Sequence, residues 1–113
     1  MCKTCDFISA VFVAAKEDPH MNYSPVAGML EEMEKQERIE LFAGDCLLDE
    51  IDAELEDEKH WTVCHYFRCV NCRQFIFTGL YIRGVPIFKT MDSLLDVDLE
   101  KMLWGRVGAY FNK

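Results

Sequence analysis

Near Lys59 the chain changes both its hydrophobic period and its charge, and few folds accommodate both changes. From Glu31 to Glu58 there are 13 acids against Lys35 and Arg38, a local net of −11, and the apolar residues recur at helical spacing. From Lys59 to Met91 there is no acid. Lys59, Arg68, Arg73, Arg83 and Lys89 bring that stretch to +5, and its apolar residues alternate as in strands. Helices followed by strands predict an α+β fold, with N-terminal helices packed on one face of a three-stranded antiparallel sheet and a C-terminal helix after it.

The elements follow from local signals. Asp6 is placed to cap a helix over Phe7 to Lys16, with Ile8, Val11, Phe12 and Ala15 on one face. Ser24-Pro25 starts a second helix, carrying Val26, Met29, Leu30 and Met33, that runs to Glu37 or beyond. Gly44 is its expected stop and Asp45 the next cap, before a third helix marked by Leu47, Leu48, Ile51 and Leu55. The alternation from Trp61 to Val70 predicts one strand, Phe75 to Arg83 a second, and Val85 to Lys89 a third. Pro86 puts that third strand at an edge. Asp92 or Asp96 begins a last helix with Leu95, Leu99, Met102 and Leu103, stopped at Gly105.

With 113 residues, half of them hydrophobic and 14 aromatic (eight Phe, four Tyr, two Trp), the chain reads as one domain over residues 1–113 with a real core. The apolar run Phe7–Ala15 is preceded only by Lys3 and bordered by Asp6, which favours a core helix over a secretory leader. No stretch approaches the ~20 apolar residues of a membrane span. The expectation is a cytoplasmic protein that does not engage a membrane. A net charge of −8 speaks against nucleic acid as a partner, because phosphate contacts need cations.

Cysteine spacing is the sharpest chemical signal. Cys69-Val70-Asn71-Cys72 falls between two strands, the context in which a tight hairpin aims two thiolates at one tetrahedral ion. Cys2 and Cys5 repeat the spacing and would complete a four-thiolate zinc site if the N-terminus folds against the hairpin. His65 or Cys64 is an alternative ligand, though adjacent strand residues face opposite ways and only one of them could join. Against a metal stands Arg73, which occupies the position where such turns usually carry glycine. A packed hairpin without metal and a redox pair remain open readings. Cys46 and Cys64 read as buried thiols, and Trp61 as a core residue with a rim anchor as the alternative.

No nucleophile, base and orienting group can be matched among the cysteines and His20, His60 and His65, and there is no glycine-rich phosphate loop. An enzyme is not expected. The acidic run has two readings, a solvated face on consecutive helices or a surface that docks on a basic protein such as a nuclease. On the second, the contact residues are Glu34, Glu37, Glu50, Glu54, Asp57 and Glu58.

Three segments carry a resemblance. His65-Tyr66-Phe67-Arg68-Cys69-x-x-Cys72, Ile82-Arg83-Gly84-x-Pro86-Ile87-x-Lys89 and Leu103-Trp104-Gly105-Arg106-x-Gly108-x-Tyr110-Phe111 resemble the small bacterial immunity proteins of polymorphic toxin systems, over the chain from Trp61 onward. The resemblance implies a non-enzymatic cytoplasmic protein that binds its cognate toxin, often a ribonuclease, and blocks its active site or its assembly. The alternative is a small zinc-ribbon-like adaptor that binds another protein.

Overall fold

The computed structural model describes residues 2–17, 23–57, 60–81, 86–94, 99 and 101–111. Two helices come first, α1 (Lys3–Glu17) and α2 (Tyr23–Lys35), then strand β1 (Ile39–Gly44). A 3₁₀ turn (Leu48–Glu50) leads into α3 (Ile51–Glu56), followed by β2 (Thr62–Cys69), β3 (Phe75–Tyr81), β4 (Ile87–Met91) and a second 3₁₀ turn (Ala109–Phe111). The four strands lie in the order β1-β2-β3-β4, each antiparallel to the next.

The architecture is therefore α+β as expected, but with four strands. The additional strand, β1, lies where a longer second helix was expected. That helix stops at Lys35 because Glu37 takes a left-handed conformation (φ 58°). Arg38 N–H then donates to Met33 O at 3.0 Å and Glu37 N–H to Glu34 O at 2.9 Å, a Schellman arrangement in which glutamate fills the place glycine usually takes. Ile39, Leu41 and Ala43 alternate inward after the stop.

Two further starts differ from expectation. The first helix begins at Lys3, where Asp6 N–H donates to Cys2 O at 2.9 Å, so Asp6 lies inside the first turn. The second begins at Tyr23, with Pro25 in its first turn. The edge placement of the strand after Pro86 holds. Of the C-terminal helix, Leu99, Lys101 and Met102 are helical, and neither Asp92 nor Ser93 is, so the start is not at Asp92. Leu95 and Asp96 lie outside the described residues, as do Glu58 and Arg83.

The sheet is covered on both faces, whereas one was expected. Ile8 and Phe12 of α1, Val26 and Leu30 of α2 and Ile51 and Leu55 of α3 pack with Val63, Phe67, Ile76 and Leu80 on one side. On the other, Cys64, Tyr66 and Phe77 meet Leu99 and Leu103, with Tyr110 and Phe111 packed against them. This is why β2 and β3 are buried along nearly their whole length.

His65 is fully buried in β2, opposite Gly44, where an added Cβ would lie 2.5 Å from the imidazole. Its Nε2–H donates to Cys46 O at 2.7 Å, while Nδ1 has no partner among the described residues. Burial lowers the imidazole from 6.5 to about 4, against the upward pull of the Cys46 carbonyl. In the unfolded chain the ring takes a proton below 6.5; in the fold it does not until about 4. The linked stability is present above pH 6.5 and is lost as pH falls toward 4, by about 3 kcal/mol at 1.36 kcal/mol per unit. His65→Phe keeps a ring over Gly44 without the proton site. Denaturant unfolding across that window is expected to show a shallower pH slope for His65→Phe than for the parent; equal slopes would contradict the assignment.

Candidate metal centre and acidic face

The start of α1 meets the turn between β2 and β3, and four cysteines meet there. Cys2 Sγ lies 3.6 Å from Cys69 Sγ and Cys5 Sγ 3.6 Å from Cys72 Sγ, with all four sulfurs within 4.8 Å of one another. None of the six cysteines is in a disulfide. A tetrahedral ion held by four thiolates at about 2.3 Å sets sulfur–sulfur edges of roughly 3.8 Å. The cluster therefore has the size and donor set to hold a metal ion.

Both halves are built alike. Cys5 N–H donates to Cys2 Sγ at 3.4 Å, and the amides of Asn71 and Cys72 donate to the Cys69 sulfur. These donors stabilise negative charge on the first sulfur of each pair. Arg73 N–H closes the hairpin turn on Cys69 O at 2.9 Å. Arg73 itself has φ 67°, the conformation for which glycine is the usual residue, so the arginine follows the glycine geometry at a cost of roughly 1–2 kcal/mol. The missing glycine changes the energy of the turn and leaves its shape intact.

Electrostatics also point to a cation. Burial pushes the Cys5 and Cys69 thiols up, and the neighbouring sulfurs add to it. At Cys2 the same burial penalty is outweighed by hydrogen bonds from the Cys5 amide and from the Cys69, Cys72 and Cys5 thiols, which bring it down to about 6. Without a cation, thiols this close yield one thiolate readily and resist the rest. A bound metal ion reverses that balance by deprotonating its ligands outright.

The other cysteines behave differently. Burial, together with Glu54, Glu50, Asp45 and Asp49, raises Cys46 to about 12; burial and Asp45 raise Cys64 to about 11. Both are buried protonated thiols, as expected. Neither Cys64 nor His65 belongs to the cluster.

The acids separate into two groups. Asp45, expected as a helix cap, is buried; its carboxylate accepts from Cys64 N–H at 2.8 Å, Trp104 N–H at 2.7 Å and Gly105 N–H at 3.0 Å. It ties β2 to the C-terminal segment, and a Cβ on Gly105 would collide with the Asp45 carbonyl. Burial raises this carboxyl, while the three amides and His60 pull it down. The acids expected at a docking surface are at least partly exposed where the structure describes them. Glu37, Glu50 and Asp57 are exposed, Glu34 and Glu54 are half-buried, and Glu58 lies outside the described residues. Glu34 on α2 is raised by burial, by Asp49 of the 3₁₀ turn and by Glu31, so the acids of the two elements form one field. Glu50 also accepts from Leu47 N–H at 2.9 Å and thereby holds the 3₁₀ turn that Asp45 was expected to cap.

Trp61 corrects another expectation. It is 69% exposed, next to a fixed aromatic step in which the His60 and Trp104 rings stack at 3.8 Å and 5° and the Trp104 indole N–H donates to Thr62 O at 2.8 Å. As the residue just ahead of β2, it lies where inward alternation has not yet begun. No helix among the described residues is long and apolar enough to cross a membrane. No family model, curated protein or solved structure matches the chain.

Proposed function

We propose that the chain is a cytoplasmic immunity protein that binds and neutralises a cognate toxin, a basic ribonuclease, and that zinc at Cys2, Cys5, Cys69 and Cys72 fastens its fold. The observation that supports the binding role is the acidic field in which Glu34 and Glu31 of α2 meet Asp49 of the 3₁₀ turn, together with the exposure of Trp61. Such a field steers a basic partner and repels the RNA that the partner holds. Zinc is the metal that four thiolates in a tetrahedron suit best, and a reducing cytoplasm keeps those thiols available to it. No catalytic residue is assigned, since inhibition requires binding alone.

The gene immediately upstream is expected to encode a large secreted protein with a C-terminal nuclease domain. Adding this chain to that domain should suppress its RNA cleavage at equal molar amounts; undiminished cleavage would overturn the reading. A zinc-ribbon-like adaptor is the second reading, favoured by the cysteine cluster itself. It predicts a metal-bound chain that leaves the nuclease fully active.

Trp61 supplies a finer test. A large aromatic side chain that is exposed in the free protein and buried in a complex adds little to the fold but much to binding. Trp61→Ala is expected to change unfolding free energy by less than about 0.5 kcal/mol and to weaken the toxin complex roughly tenfold or more. Calorimetric melting and a binding titration on the same preparation separate the two effects.

A further inference from the structure

We infer that the cysteine cluster is a site of oxidation by hydroperoxides, which convert it into two disulfides, Cys2–Cys69 and Cys5–Cys72, running between the N-terminus and the hairpin. The four sulfurs thereby have a second, covalent state that fastens α1 without an ion. Both contacts at 3.6 Å cross from one Cys-x-x-Cys to the other, and each joins residues 67 positions apart. A disulfide needs its sulfurs at about 2.05 Å, a closure of roughly 1.5 Å that small side-chain rotations supply.

Exposure divides the roles. Cys2 and Cys72 are half-buried and meet solvent, whereas Cys5 and Cys69 are fully buried. Each crosswise pair therefore couples one sulfur that a small peroxide can reach with one that it cannot. An attacking thiol beside a resolving thiol has this layout. The Cys2 thiolate attacks one peroxide oxygen, the O–O bond breaks and hydroxide leaves, so the sulfur becomes a sulfenic acid, oxidised by two electrons. The Cys69 sulfur then attacks it, the S–S bond forms, and the sulfenic oxygen departs as water. Cys72 and Cys5 repeat the sequence. With zinc held at the site, four thiolates, two hydrogen peroxides and four protons give two disulfides, four waters and free Zn²⁺. Disulfide sulfurs carry no charge and release the ion.

The crosswise bonds also outlast the alternative in stability. A bond within either Cys-x-x-Cys would close a short loop and leave α1 unattached, whereas closing a long loop constrains the unfolded chain far more. The two remaining thiols are internal controls. Cys46 and Cys64 are buried outside the cluster, in the cores on opposite faces of the sheet, where neither meets the other.

The experiment takes the full chain, assayed first for zinc, and adds hydrogen peroxide at rising molar ratio. Free thiols are blocked with N-ethylmaleimide, and the digest is read without reduction by mass spectrometry. Linked peptides are expected for Cys2–Cys69 and Cys5–Cys72, with Cys46 and Cys64 alkylated and zinc released at about one ion per two peroxides consumed. The oxidised chain is expected to melt roughly 10 °C or more above the reduced chain in chelator. Cys72→Ser alters a half-buried member and should yield Cys2–Cys69 alone, with Cys5 left to alkylate. If that variant fails to fold, the product map of the parent chain decides. Bonds within either Cys-x-x-Cys, sulfinic acid without disulfide, oxidation of Cys46 or Cys64 ahead of the cluster, or an oxidised chain that melts no higher would each overturn the inference. Only the zinc release rests on the metal reading. A chain isolated without zinc would remove that reading, and its peroxide products would still decide the pairing.

Discussion

Cys69→Ser is expected to leave the chain without zinc and to release the start of α1 from the sheet. Cys69 is fully buried, ends β2 and lies 3.6 Å from Cys2, so its sulfur joins the N-terminus to the hairpin turn. In small zinc domains the metal supplies about 10–16 kcal/mol, which is the whole folding energy. This chain has cores on both faces of its sheet and should retain a folded sheet. A loss of several kcal/mol remains, which for a domain of this size lowers the melting temperature by roughly 15 °C or more. Metal analysis of protein purified without added zinc should give one zinc per parent chain and none for the variant. Cys46→Ser is the control. It alters an equally buried thiol outside the cluster, and should keep its zinc at some cost in stability.

Glu54→Lys combined with Asp57→Lys is expected to weaken the toxin complex on the order of a hundredfold at low salt, as close charge pairs at such interfaces couple by about 1.5–7 kcal/mol. Glu50 is left in place, because its carboxylate accepts from Leu47 N–H and its reversal would cost the 3₁₀ turn. The loss should fall largely on the association rate and shrink as salt screens the field, over a Debye length of about 10 Å at 0.1 M. Stopped-flow association at two salt concentrations measures both. A deficit unchanged by salt would mean that the two side chains act through shape.

Much of the fold was legible because its signals are local. The alternation from Trp61 onward gave β2 and β3 to within a few residues, and Pro86 marked the edge strand. β1 was missed because its start depends on a helix stop at Glu37 that uses a left-handed glutamate, and sequence arguments look for glycine there. The available signal was Ile39, Leu41 and Ala43 alternating within six residues.

The candidate metal residues were legible for a similar reason. Equal Cys-x-x-Cys spacings constrain local geometry, and the structure supplied the distant contact that joins them. Arg73 argued against the turn only on identity, since its backbone nonetheless takes the glycine conformation. Asp45 and Trp61 were misplaced because burial at element ends is a tertiary matter. One carboxylate is held by amides 19 to 60 residues away, and one indole lies a single residue before its strand.

The most direct measurement is a titration of the chain against the upstream-encoded nuclease domain at rising salt. A one-to-one complex is expected that loses affinity steeply as salt increases and, at low salt, loses it when Glu54 and Asp57 are reversed. A complex indifferent to both, or none at all, would contradict it.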